Sequence, residues 1–143
     1  MAKGFCNENA LKYLEIWGKP ISEACPCGRD CSFSPEFEAM QAEIEKDTAL
    51  HATEATDWAI VSRSATDFLI EQSKDVWILV YAVYAEYKIN GVEACAASVS
   101  ALTILLDTWW DSAYPLPSRI PRRLAPLAWL CARMEHCLSL IHI

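Results

Sequence analysis

The 143 residues predict an all-α protein, an antiparallel helical bundle of about five helices behind an N-terminal loop rich in Pro, Cys and Gly. Three observations carry that prediction. Apolar residues recur at spacings of three and four through most of the chain, the period of a helix with one buried face. Only four Gly interrupt it, and the segments between them are rich in Ala, Leu, Glu and Lys, which lose little on entering a helix. No segment alternates apolar and polar residues as a half-buried strand does. The 53% hydrophobic content, with six Trp, five Tyr and four Phe, supplies the material for a core, because a chain of about 150 residues buries roughly 68–70% of its unfolded surface.

The elements follow in order. Residues 10–17 are expected to form a short helix ended by Gly18 and Pro20. Residues 18–35 form a loop, since Gly18, Pro20, Pro26, Gly28, Asp30, Ser32, Ser34 and Pro35 leave no periodic run. Ser34 then caps a helix with Pro35 at its first position and Glu36 in its first turn, and Phe37, Met40 and Ile44 mark its buried face. After a polar stretch from 47 to 56, Asp57 caps a helix over 57–72 with Trp58, Val61, Ala65, Phe68 and Leu69 on one stripe. Ser73-Lys74-Asp75 breaks the pattern and starts a helix over 75–88, with Trp77, Val80, Tyr81 and Tyr84 inward. Its apolar residues run nearly all round, which marks it as central. Asn90-Gly91 closes it. A helix over 92–112 is expected to bury Val92, Cys95, Ala96, Val99, Leu102, Leu106 and Trp109. Pro115, Pro117 and Pro121 make a loop, and a last helix from Arg122 turns Leu124, Leu127, Ala128, Cys131 and Met134 inward.

Charge and chemistry narrow the function. The formal net charge of −7 lies entirely in residues 1–72, the rest being balanced; an acidic face repels phosphate, so nucleic acid is not an expected partner. Arg119, Arg122 and Arg123 read as a solvated loop or as salt-bridge partners. The longest apolar stretch, residues 76–85, is too short to cross a bilayer, which needs about 20 residues, so no membrane insertion is expected. No signal peptide follows Met1, and a cytoplasmic location is expected. The seven cysteines, Cys6, Cys25, Cys27, Cys31, Cys95, Cys131 and Cys137, are expected to be reduced thiols at small apolar positions. Cys25, Cys27 and Cys31 form the one candidate metal site. Their spacing is not the paired CxxC of structural zinc, and a fourth ligand such as His51 would have to come from far along the chain. His51, His136 and His142 accompany no nucleophile motif, and no phosphate-binding glycine loop occurs. Glu36, Glu38, Glu43 and Glu45 read as a solvated helix flank. Of Trp109 and Trp110, one is expected in the core and the other at its rim. No catalytic residue and no cofactor is expected.

The order of short blocks carries more. Pro20-Ile21-Ser22-Glu23-Ala24-Cys25-Pro26-Cys27-Gly28-Arg29-Asp30 resembles the "PIS-x-x-x-PCG-x-D" opening of the ImpA N-terminal domain family, the first module of TssA-like subunits of the bacterial type VI secretion system. Ser34-Pro35-Glu36-Phe37 is similar to its "D-P-x-F" helix start, Asp57-Trp58 with Val61 to its "DW-x-x-V", and Ser73-Lys74-Asp75 to its "SKD-L", with Val76 for Leu. Asn90-Gly91 to Leu106 resembles its glycine-led leucine helix, although Glu93-Ala94 lacks the second Gly. Trp109-Trp110-Asp111 matches "Tyr-Trp-Asp", Pro115 falls where the family has "HP", and the run from Arg123 through Trp129 to Leu130 resembles "R-x-x-A-L-x-W-L". The blocks cover about residues 18–132. Cys25 and Cys31 depart from the family's Ala-like and Leu-like residues.

The resemblance implies scaffolding. Pro26 and Gly28 fix a turn, Asp57 and Ser73 or Asp75 cap helices, and Trp58, Trp110 and Trp129 anchor packing. It implies a cytoplasmic assembly role, with protein subunits of the baseplate, sheath, tail tube or membrane complex as partners. It also implies that the full-length protein is homo-oligomeric through a C-terminal region missing here. Accordingly, residues 1–17 read as an extension, 18–137 as the domain, and 138–143 as a non-native tail, the in-frame translation of a sequencing adapter. The alternative from another class is a small metal-binding regulatory protein built on Cys25, Cys27 and Cys31.

Overall fold

A computed structural model describes residues 9–50 and 53–141, with side chains to residue 137. The fold is all-α. Six helices follow in chain order: α1 (Ala10–Trp17), α2 (Pro35–Glu45), α3 (Trp58–Glu71), α4 (Val76–Asn90), α5 (Val92–Thr108) and α6 (Ile120–Ile141). Among the described residues there is no strand, only two isolated bridges that pair Gly28 with Ser73 and Asp75 with Tyr114.

Local chemistry starts these helices. The Ser34 side chain accepts from the Phe37 N–H, with Pro35 in the first turn. The Asp57 carboxylate accepts from Ile60 N–H, and the Asp75 carboxylate from Trp77 N–H. Each satisfies a donor that the first turn leaves without an intrahelical partner. Gly91 alone separates α4 from α5 and takes a φ of +86°, so the two helices, which pack side by side, must reverse direction there.

Helix α4 is the centre. Val76 and every residue from Ile78 to Ala85 are buried, and α3, α5 and α6 all pack on it. Aromatic edges tie the layers: Trp58 of α3 meets Tyr84 at 5.2 Å, and Trp129 of α6 meets Tyr81 at 5.2 Å and Tyr84 at 5.5 Å, all near perpendicular. Such contacts add to the area term, which is about 1.5–3 kcal/mol for each large apolar side chain fully buried. Helix α2 lies on α3, where Phe37 meets Phe68 edge-on at 6.0 Å.

Helix α1, within the segment set apart in sequence as an extension, packs on α5 and α3. It buries Ala10, Tyr13 and Trp17, and the Tyr13 hydroxyl donates to Glu86 at 2.8 Å. Burial, then Glu86, pushes the Tyr13 hydroxyl well above its ordinary pKa. Beyond residue 137 the backbone continues α6 to Ile141. The side chains of the tail assigned to an adapter lie outside the described residues.

Two faces differ from expectation. The buried stripe of α5 is Cys95, Ala97, Ser98, Ala101, Leu102 and Leu105, whereas Val92 is 65% exposed and Ala96 and Val99 also face outward. Periodicity passed over Ser98 because it is polar, yet its hydroxyl donates to Cys95 O at 3.0 Å and so enters the core without an unpaired group. On α6 the inward residues are Arg123, Pro126, Leu130 and Cys137, while Leu124, Ala128 and Cys131 are exposed. The helix is rotated by about one position because Arg123 goes in. The chain segment from 92 to 112 read as one helix also ends sooner, at Thr108, and Trp109 to Ser112 turn away.

Candidate functional site

Ser73, Lys74 and Asp75 join α3 to α4 and are buried to 0%, 1% and 2% exposure. Two loops close on them. From the N-terminal side, Lys74 N–H donates to Cys27 O at 2.9 Å, and the Pro26 carbonyl accepts from Ile21 N–H at 2.8 Å. Gly28 makes this approach possible: its φ is +71°, and a Cβ there would stand 2.2 Å from Gln72 O. From the far side, Tyr114 N–H donates to Lys74 O at 3.0 Å, and Val76 N–H donates to Tyr114 O at 2.7 Å.

The Lys74 side chain fastens a third element. Its ammonium donates to Trp17 O at 2.8 Å and to Leu69 O, tying the end of α1 to the end of α3, and lies 5.5 Å from the centre of the Trp109 ring. Burial pushes the Lys74 ammonium down to about 8, an effect the nearby Cys27 opposes. Burial likewise pushes Asp75 up to about 7, against its bonds to the Trp77 and Ile78 N–H groups. Cys27 is raised, by burial first.

Arg123 is the residue that pattern reading missed. It is fully buried, donating from Nε to Pro115 O at 2.6 Å and from Nη2 to Ala113 O at 2.5 Å. The expected solvated arginine therefore holds the 109–119 loop against α6. Its position has a signal once a buried cation is admitted: 123, 126, 130 and 137 form a regular helical stripe. Arg123 Nη1 and Ser73 Oγ are buried without a hydrogen-bond partner among the described residues. Trp110, expected as a packing anchor, is 41% exposed and covers Arg123 with its ring 4.9 Å from the guanidinium. Trp109 is half-buried against the core, and Asp111 is exposed and acts on Arg123 through its charge.

The other singled-out residues stay local. Asp30 accepts from Ser32 N–H at 3.1 Å; Pro35, Asp57, Trp58 and Trp129 start or pack helices as described above. The three candidate metal thiols do not converge: Cys25 is exposed, Cys27 is buried, and Cys31 is half-buried with its Sγ 3.9 Å from Gln72 O. Among the described residues no group of three His, Cys, Asp or Glu side chains is placed to hold a metal ion. His51, His142 and Cys6 lie outside the described residues. Of the glutamate flank, Glu43 pairs with Lys46 at 2.8 Å and accepts from Asp57 N–H. Among the described residues no helix is long and apolar enough to cross a membrane.

The site is therefore a three-way pin in which loop motifs and charged side chains fix backbone. An all-helical module of this kind, with its motif residues engaged in joining its own elements, is the class that the architecture defines. The chain belongs to the ImpA N-terminal family of the type VI secretion system, whose profile, described as "ImpA, N-terminal, type VI secretion system", matches residues 18–132. Its structure is similar to the N-terminal domain, including the conserved ImpA_N region, of the TssA component of the type VI secretion system from Burkholderia cenocepacia. The TM-score is 0.72 at 32% identity, over 93% of this chain and 51% of that one. This chain thus spans about half the length of that solved relative. Among curated proteins none matches its sequence significantly.

Proposed function

We propose that the chain is an assembly module of a type VI secretion apparatus, acting by protein contact and not by catalysis. The observation that carries the reading is the family match over residues 18–132. The chemistry of the pin agrees with it. Lys74 and Arg123 are held by backbone carbonyls and Asp75 caps a helix, so these buried charged groups serve packing, a common structural cause of displaced acidities. Partners are the baseplate, sheath, tail-tube or membrane-complex subunits, in the cytoplasm, and full-length assembly into a homo-oligomer runs through a region C-terminal to this module.

The test is co-expression with each such subunit encoded in the same gene cluster, followed by size-exclusion chromatography. A stoichiometric complex with at least one of them is expected. Separate elution from every one would overturn the assignment.

A further inference from the structure

Beside the pin, facing solvent, is a cleft of about 410 Å³ lined by Asp30, Phe37, Asp75, Trp77, Tyr114 and Arg122, among others. Phe33 stands on its wall and is 88% exposed, an aromatic ring left almost wholly in water. A smaller cleft of about 200 Å³ continues from it past Asp30, Tyr114 and Arg122.

Three properties of this cleft point to one kind of guest. Asp75 is a carboxylate at 2% exposure that forms no ion pair among the described residues; the buried Arg123 eases its charge without contacting it. Asp30 lines the same cleft, and its charge adds to the upward push on the Asp75 pKa, so the two carboxylates repel each other. A cation between them relieves both the burial of one and the repulsion of the pair. Four aromatic residues, Phe33, Phe37, Trp77 and Tyr114, also line the cleft, and a planar guanidinium combines stacking on rings with paired hydrogen bonds to carboxylates. Arg122 on the rim makes no ion pair with either Asp and opposes a second cation at close range. The acidic first half of the chain favours a cation's approach from further out.

We propose that this cleft receives an arginine side chain presented by a partner protein, held by Asp30 and Asp75 and stacked among Phe33, Trp77 and Tyr114. The proposal rests on the assembly reading for the guest's being a protein, and names the surface by which the module makes one contact.

The test is a titration of ¹⁵N-labelled protein with N-acetyl-L-arginine amide, using the glutamine and glutamate analogues as neutral and acidic controls. Saturable shifts are expected at the Trp77 indole N–H and at the Asp30 and Tyr114 amides, with millimolar affinity, the scale of about −4 kcal/mol for a single small ligand. Asp30→Asn keeps the acceptor for Ser32 N–H and is expected to weaken binding about tenfold, whereas Arg122→Gln is expected to strengthen it about threefold. Equal shifts from the glutamine analogue, binding of the glutamate analogue in its place, or an unchanged affinity in Asp30→Asn would each overturn the proposal. Because the probe reads the cleft directly, its failure is distinct from a failure of co-assembly, which concerns the function itself.

Discussion

Gly28 and Gly91 share a positive φ, of 71° and 86°, but not a setting. A Cβ on Gly28 meets Gln72 O at 2.2 Å, whereas one on Gly91 meets nothing within 4 Å. Gly91, with a ψ of −164°, lies where essentially only glycine is at ease, a strain of about 1–3 kcal/mol for an L-residue. Gly91→Ala should therefore lose about that much in urea unfolding, and Gly28→Ala more, because the clash with Gln72 O adds to the strain of its positive φ. Equal losses would mean that the loop does not press on the Ser73 strand-like bridge. Asp75 makes a prediction in pH. Its folded value of about 7 lies above the ordinary 3.8, so the folded state takes up the proton first. The resulting stability is fully present below 3.8 and is lost as pH rises through about 7. Asp75→Asn keeps an oxygen acceptor for Trp77 N–H and has no charge. Over that window its urea midpoint should fall less steeply than that of the unsubstituted protein; parallel curves would show that Asp75 does not titrate there.

At the scale of elements, α6 tests its own rotation. Leu130 is 6% exposed and Leu124 is 45% exposed. Leu130→Ala should cost about 2–4 kcal/mol and Leu124→Ala within about 0.5 kcal/mol, as surface substitutions do; thermal unfolding distinguishes this from the reverse order. The boundaries of α2, α3 and α4 could be read from residues alone because their causes are local: Ser34, Asp57 and Asp75 cap the turns that follow them. The inward faces of α5 and α6 could not, because each admits a polar residue. Ser98 settles its hydroxyl one turn back, and Arg123 is paired by carbonyls of a loop whose position is tertiary. The motif blocks were visible in the same way as the caps. That the Cys27, Lys74 and Tyr114 segments meet was not, since only backbone hydrogen bonds between distant segments bring them together.

For the whole molecule, the question is whether α1 is an appendage or part of the cooperative unit. Trp17 is 2% exposed, and its carbonyl takes one of the two hydrogen bonds from Lys74. Trp17→Ala should therefore cost about 3–5 kcal/mol, as large aromatic truncations in cores do. It should also lower a single unfolding transition seen alike by far-UV circular dichroism and tryptophan fluorescence. If α1 were peripheral, a small separate phase would melt first, and the main transition would stay where it was.

The way the two long loops close on Lys74 also decides where foreign sequence can enter the chain. Residues 18–34 and 109–119 cover much surface and invite a tag, yet both are held by backbone bonds to the α3–α4 junction. The α4–α5 turn is a single glycine with open space around it. An eight-residue Gly/Ser insertion at Gly91 should cost about 2 kcal/mol of loop entropy. The same insertion between Gly28 and Arg29 should cost clearly more by urea denaturation, because it loosens one arm of the pin. The shortest connection between the described helices is thus expected to accept a reporter better than either long loop.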